Sequence, residues 1–241
     1  MLFRSLSPEA PLPVVDVKEV VNKPGGAGNV VANLKGFGCE AMTIMPPGHF
    51  PVKNRLISNG HQIARWDQDD FVEMYTVDIL RRSKSTFDKA DAIIISDYAK
   101  GALTAASIQI IAELGHKKPF FIDSKRCPSL YKDLNGTFFP NLKEFFQFPE
   151  YVKQAQVLRK ESADGMTYFI NGEPVHHEPA FSANPLSVSG AGDTVVAAFA
   201  YASCKGGAVQ NNMVFASKAA AIAIGKPLTS IATLDEIEAF S

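Results

Sequence analysis

Asp193 lies in the run Ser189-Gly190-Ala191-Gly192-Asp193-Thr194, which leads straight into an apolar stretch of helical character. The glycines let the backbone turn tightly and bring consecutive N–H groups to one point. The positive end of the following helix adds to them, which makes an anion site of Gly190, Ala191 and Gly192. A carboxylate in that place would repel a bound anion. It makes chemical sense if Asp193 takes a proton from a hydroxyl that then attacks a phosphorus held by those N–H groups. A Gly-rich turn with Asp193 as an ordinary first-turn residue has the same local pattern, and spacing alone leaves both open.

A second candidate, Asn141-Leu142-Lys143-Glu144, follows the short apolar pair Phe138-Phe139. Asn141 and Glu144 share a face of a first helical turn. A carboxylate at the carboxyl end of a strand can hold Mg²⁺ through water, although a plain helix start with Asn141 as cap fits the same residues. Two further strand ends are polar: Ser96-Asp97-Tyr98-Ala99-Lys100-Gly101 and Asp123-Ser124-Lys125. Ligands of open α/β sheets gather at such ends, so Lys100 and Lys125 are candidate phosphate contacts and Asp97 a candidate for the acceptor. Gly25-Gly26-Ala27-Gly28-Asn29 opens another helix and can offer N–H groups and the Asn29 amide to a polyol. It is neither a P-loop nor a G-x-G-x-x-G motif. His176 and His177 are adjacent in an extended segment and point to opposite faces, while His49, His61 and His116 have no partner at ligand spacing. No G-x-S-x-G elbow is present for hydrolase chemistry.

These residues need elements to hold them. The chain has 241 residues with 46% hydrophobic and 20% charged side chains, enough for a sizeable core in one domain. Its formal net charge of −1 argues against nucleic acid as a partner. No apolar run reaches the ~18 residues that span a bilayer, and the N-terminal MLFRSLSPEAPLP has no signal-peptide core, so no membrane partner is expected. Cys39, Cys127 and Cys204 are scattered and odd in number, which fits a reducing, cytoplasmic location.

Along the chain, alternation predicts a strand from Leu12 to Val21, and Ala27 to Lys35 has helical spacing with Gly36 and Gly38 as a stop. A short strand is expected from Ala41 to Met45, ending at Pro46-Pro47. RLIS and HQIARW flank Asn59-Gly60, a hairpin signature, and with the first strand they predict a small sheet standing off the core, a β lid over about 12–22 and 52–67. Beyond Asp91 the pattern is β-α-β: strands at Ala92 to Ile95, Phe120 to Ile122 and Phe138-Phe139, with a helix capped by Thr104 that runs through Leu114 to Gly115. Met166 to Ile170 and Pro174 to His177 flank Asn171-Gly172, an edge hairpin. Helices are expected from Asp193 to about Cys204, from about Asn211 to Ile224, and from Leu234 to Phe240. The fold class is α/β, a mainly parallel sheet flanked by helices, with a small β appendage.

SGAGDT before an apolar helix, NLKE, and GGAGN before a helix together resemble the ribokinase-like (PfkB) carbohydrate kinases. SLSPEAPLPVV, KPGGAGNV, ISDYAKGAL, FIDSK and PNLKEF are similar, within that family, to the D-glycero-β-D-manno-heptose 7-phosphate kinases of ADP-heptose synthesis, used for lipopolysaccharide. The resemblance implies a ribokinase-like, Rossmann-type core with a β lid that pairs between two subunits of a homodimer. It implies transfer of the γ-phosphoryl of ATP to the anomeric hydroxyl of the sugar phosphate, assisted by Mg²⁺, with activation by a monovalent cation in parts of the family. On this resemblance Asp193 is the base, Gly190, Ala191 and Gly192 form the anion hole, and Asn141 and Glu144 organise Mg²⁺ and phosphate, Glu144 through water. Gly25, Gly26 and Asn29 contact the sugar, and Arg65 and Asp67 lie where the lid returns to the core. Lys125 and Ser217, in FASKAA, fall on the nucleotide side.

Departures from the family pattern are equally specific. The chain begins after the family's first core strand, and the helix and strands expected after Met45 are missing, so a domain over 1–241 shortened at its N-terminus is expected. Where the family has Thr-x-x-x-x-Gly near the nucleotide, the chain has VLRKESADG, with Leu158 at the approximate Thr position. Two other functions remain open beside heptose phosphate: a kinase for another sugar or sugar phosphate, and a reduced, non-catalytic homologue that binds a sugar phosphate, a nucleotide or a protein.

Overall fold

Buried strands that alternate with capped helices can satisfy their backbones only by pairing side by side, which leaves the helices to cover the two faces. The computed structural model describes residues 3–6, 9, 13–46, 48, 50–58, 61–68, 74, 76–182 and 184–240. In chain order its elements are β1 (Phe3–Leu6), β2 (Pro13–Val15), α1 (Ala27–Gly36), β3 (Val52–Ser58), β4 (His61–Gln68), α2 (Val77–Arg82), α3 (Lys84–Lys89), β5 (Ile93–Asp97), α4 (Ala105–Leu114), β6 (Phe120–Ser124) and β7 (Gly136–Phe138). There follow α5 (Leu142–Gln147), β8 (Gln156–Lys160), β9 (Met166–Ile170), β10 (Glu173–Glu178), α6 (Ala191–Cys204), α7 (Val209–Ile224) and α8 (Leu234–Ala239).

The main sheet has the order β10-β9-β8-β7-β6-β5, in which β5 to β8 are parallel and β9 and β10 antiparallel. Successive residues of a strand face opposite sides, and the core divides accordingly. Phe121 and Leu158 pack with Val196, Ala197 and Met213 of α6 and α7 on one face. Phe120, Ile122 and Val157 pack with Leu80, Ile108 and Phe145 of α2, α4 and α5 on the other. Alanines Ala197, Ala198, Ala216 and Ala219 are wholly buried, which lets α6 and α7 lie close together. The helix over Ala105–Leu114 has the expected ends: Thr104 accepts from the Ser107 N–H in a capping box, and Gly115 closes it.

The lid differs from expectation. Of the strand predicted over Leu12 to Val21, only Pro13–Val15 is extended in a ladder, and its partner is β1 rather than the hairpin. The hairpin β3–β4 forms its own two-stranded sheet, while its turn, Asn59-Gly60, lies outside the described residues. A strand exists only where a second backbone meets its N–H and C=O groups, and Asp16 to Gly25 follow no such ladder. Residues Ala41 to Met45 likewise form no strand; Ile44 packs on the core, but Pro46 follows without an N–H to extend a ladder. Helices α2 and α3 and strand β1 were not anticipated, and β5 and β7 are displaced by one or two residues from the predicted runs.

Candidate active site

Gly190 caps α6 with φ +86°, a left-handed conformation, and a Cβ there would lie 2.5 Å from Asn29 Nδ2. Glycine is therefore required by both backbone and space. The turn sends α6 away with its first N–H groups, which have no intrahelical partner, facing the loop. Asp193 follows in that first turn, 5% exposed.

Both carboxylate oxygens of Asp193 are held. The Tyr98 hydroxyl donates to Oδ1 at 2.7 Å, and Asn29 Nδ2 donates to Oδ2 at 3.1 Å. The same amide donates to the Gly190 carbonyl at 3.2 Å, so Asn29 ties the loop to the carboxylate. Asn29 is positioned by α1, whose entry at Gly26 has φ +53° and would place a Cβ 3.1 Å from the Tyr98 ring. Asn33, one turn on, donates to the Asn29 carbonyl at 2.9 Å. Burial pushes the Asp193 carboxyl above the usual carboxylate range; the hydrogen bonds from Tyr98 and Asn29 oppose this, Asp123 adds to it and Lys160 opposes it. A carboxylate raised in this way is a better proton acceptor at neutral pH. Burial first, then the Asp193 charge, pushes the Tyr98 phenol far up, so it remains a donor.

Asp193 and Gly190 also line a cleft of about 2350 Å³. Its other walls include Gly25, Gly26 and Gly28 at the start of α1, Asp97, Tyr98 and Lys100 after β5, and Lys53, Arg55 and Trp66 of the ribbon. Drug-sized ligand pockets are about 300–1,000 Å³, so this cleft is open to a polyol with room to spare. Outside these walls, beyond Tyr98 and Gly192, the carboxyl ends of β6, β7 and β8 bring a cluster of charges together. Lys125 pairs with Glu144 and lies 5.7 Å from the centre of the Tyr98 ring. Lys160 donates to Asp123 Oδ2 at 2.9 Å, and its Nζ is 3.4 Å from where a Cβ on Gly192 would stand.

Each candidate has a definite place. Gly25, Gly26, Asn29, Gly190, Ala191, Gly192 and Asp193 converge, with Lys100 on the cleft wall. Asn141 and Glu144 form a reciprocal capping box at α5, the plainer of the two sequence alternatives, and Glu144 is at once bonded to Asn141 and to Lys125. Asp97 reaches the cleft, yet its carboxylate accepts from the Tyr131 hydroxyl and the Ala99 N–H and lies 3.5 Å from Arg126, which fixes the turn after β5. Two candidates stand apart. Arg65 pairs with Asp67 on the ribbon and is not among the residues that line the cleft. Ser217 is buried and donates to the Pro179 carbonyl, so its hydroxyl serves the α7–β10 packing.

Three contacts escaped sequence reasoning: Tyr98 on the base, Asp123 in the charge cluster, and Lys160 beside Gly192. Leu158, at the approximate position of the family threonine, is wholly buried in the core with residues of α6.

A magnesium ion fits here only in a loose, hydrated manner. Among the described residues no three His, Cys, Asp or Glu side chains group as a metal cage. Asp123 Oδ1 is, however, a buried oxygen without a hydrogen-bond partner, and Mg²⁺ characteristically keeps several waters and takes one or two carboxylates. Asp123 and Glu144 would hold such an ion through water.

The chain is similar to known proteins along most of its length. The family model for pfkB family carbohydrate kinases matches residues 78–236. The bifunctional protein HldE of Vibrio parahaemolyticus is 31% identical over 280 aligned positions, covering 97% of this chain and 58% of that protein. HldE of a Nitratiruptor species is 32% identical over 283 positions, with 98% and 60% covered. The chain thus spans about three fifths of the length of these curated relatives. Both alignments exceed the 241 residues of the chain, so the relatives have internal residues without counterparts here. Among solved structures, an uncharacterized sugar kinase of Pyrococcus horikoshii superposes with a TM-score of 0.73 at 16% identity, over 95% of this chain and 92% of that one. Phosphofructokinase-2 of Escherichia coli, in complex with substrates and products, gives 0.68 at 14% identity, over 90% and 86%. At such identities the two structures speak for the fold.

Proposed function

Because the chain belongs to the pfkB family of carbohydrate kinases, we propose that it is a single-domain, ATP-dependent kinase whose acceptor is D-glycero-D-manno-heptose 7-phosphate. The observation that carries this reading is Asp193, buried in the first turn of α6 behind the left-handed glycine turn at Gly190 and lining a cleft with room for a sugar phosphate. The heptose phosphate is favoured by the SPEAP and SDYAKG resemblance and by the similarity to HldE.

The acceptor sugar enters from the cleft, where Gly25 and Gly26 meet its hydroxyls and Lys53 and Lys100 on the walls are cations for its phosphate, while Asn29 holds the base from behind. Asp193 takes the proton of the anomeric hydroxyl. The freed oxygen bonds to the γ-phosphorus as the bond from that phosphorus to the β-phosphate oxygen breaks, which releases ADP. N–H groups of Gly190, Ala191 and Gly192 meet the charge on the transferring phosphoryl, and positioning of the two reactants supplies much of the remaining acceleration. Lys125 approaches the nucleotide from the other side, aligned by Glu144. Magnesium, when bound, would neutralise phosphate charge near Asp123 and Glu144. The ribbon exposes Val52, Ile63 and Trp66, which supports pairing of two lids in a homodimer. No helix among the described residues is long and apolar enough to cross a membrane, and we assign the protein to the cytoplasm.

The test is ADP release with heptose 7-phosphate, set against a panel of free and phosphorylated sugars. Release that depends on the heptose phosphate supports the reading; release with another sugar alone reassigns the acceptor. Nucleotide binding without turnover on any sugar would make the chain a binding homologue.

A further inference from the structure

Lys160 ends β8, where its N–H donates to the Pro140 carbonyl at 2.8 Å and it bridges to Asn141 at the end of β7. Its side chain is only 13% exposed, an unusual state for an ammonium, and among the described residues its salt-bridge partner is Asp123, 7% exposed. Burying such a pair stabilises little by itself, because desolvation consumes most of the attraction. The pair must therefore be read by what it brings to its surroundings. The ammonium stands beside Gly192, in the anion loop, where a Cβ would meet it at 3.4 Å, the distance of an ordinary contact. An ammonium has three N–H bonds, and Asp123 Oδ2 accepts one.

We propose that Lys160 is a phosphate-contacting catalytic residue of this chain, its ammonium meeting the terminal phosphoryl oxygens of a nucleoside triphosphate held at Gly190–Gly192. The inference rests on the kinase reading above. Asp123 aims the ammonium, and the charge it meets is the one that develops on the transferring group. A fixed positive charge at this place means that part of the phosphate recognition is supplied by β8 rather than by bound ions alone. Tyr98, Asn29, Lys125 and Glu144 surround the same point but direct their polar atoms to Asp193 or to one another.

The test uses the full chain, its Lys160→Met variant and the double variant Asp123→Asn/Lys160→Met, titrated calorimetrically with ATP and with AMP in EDTA, so that loss of a metal-holding carboxylate does not register. The double variant removes the carboxylate that the single one would leave buried and unpaired, which guards against a mere folding defect. The expected result is a loss of about 10- to 100-fold in ATP affinity for both variants, the usual worth of a charge-assisted contact, with AMP affinity within about two-fold of wild type. Sugar-dependent turnover should fall about 100-fold or more in both. A double variant that binds ATP as wild type does would overturn the proposal, since Lys160 would then only neutralise Asp123. Equal losses for ATP and AMP would overturn it too, pointing to general disruption. Wild type that binds neither nucleotide contradicts the kinase reading itself, a result distinct from the other two.

Discussion

Replacing Tyr98 by phenylalanine removes one hydroxyl and leaves the ring that packs against Gly26. That hydroxyl donates to Asp193 Oδ1 at 2.7 Å, from a half-buried ring to a buried carboxylate. A hydrogen bond to a charged group is worth about 1.5–3 kcal/mol. At 1.36 kcal/mol for each unit, its loss corresponds to a rise of roughly one to two units in the pKa of the Asp193 carboxyl. The sign follows from the direction of the existing balance: burial raises this pKa, and the Tyr98 and Asn29 bonds hold it down. With Tyr98 gone, the carboxyl stays protonated to higher pH, and a protonated base cannot accept the sugar's proton. Asp123 pushes the same way and Lys160 opposes it in both proteins, so neither changes the comparison. The Tyr98 phenol, itself pushed far up, does not ionise across the profile and adds no second limb. The assay is kcat/KM for sugar-dependent ADP release from about pH 5 to about pH 9, in wild type and Tyr98→Phe. We expect the acid limb to move up by roughly one to two units, with the variant recovering toward wild type at the alkaline end. An acid limb that stays in place, or moves down, refutes the assignment of Tyr98 as the group that sets the base.

Three further outcomes follow from the same geometry. Asp193 has a raised pKa, so its ionisation costs stability once the pH rises through the folded value; Asp193→Asn should raise the Tm while turnover is lost, a gain on the order of 1 kcal/mol by thermal denaturation at neutral pH that shrinks under acid conditions. Gly190→Ala puts a Cβ 2.5 Å from Asn29 Nδ2 at a left-handed φ of +86°, and should cost about 1–3 kcal/mol in urea unfolding as well as most of the activity. Thr104→Ala removes the cap of α4 away from the site and should cost about 1 kcal/mol of stability with kcat unchanged; a fall in kcat would mean that α4 has a part in the chemistry.

What the sequence disclosed depended on how local the signal was. Thr104 and Gly115 delimit α4 because a cap is made within one turn, and Asn171-Gly172 announces β9–β10 because two residues dictate the turn. Apolar runs at Phe120 and Ile94 marked buried strands, which need no partner to be recognised. Pairing is another matter. Val14 joins β1 rather than the ribbon, and Thr43 forms no strand at all, because a ladder depends on which backbone is alongside and alternation is silent about that. The candidate site divides in the same way. Gly190 and Asp193 are legible since a glycine turn at a helix start is itself a chemical device. Tyr98 and Lys160 come to the loop across 95 and 32 positions of sequence, through α1, β5 and β8, and no local pattern reports such a meeting. Ser217 shows the converse, a residue chosen by its position in a motif whose hydroxyl donates to the Pro179 carbonyl, a partner 38 positions away that the motif does not contain.

The central claim is that Asp193 removes a proton from a sugar hydroxyl during phosphoryl transfer from ATP. It is tested most directly by measuring ADP release with heptose 7-phosphate for wild type and for Asp193→Asn, the variant first being shown to be folded and to bind ATP. The account predicts sugar-dependent release by wild type and a loss of at least about 100-fold in the variant, the scale of a missing general base. Equal rates in the two proteins, or no sugar-dependent release by wild type on any member of the sugar panel, would contradict it.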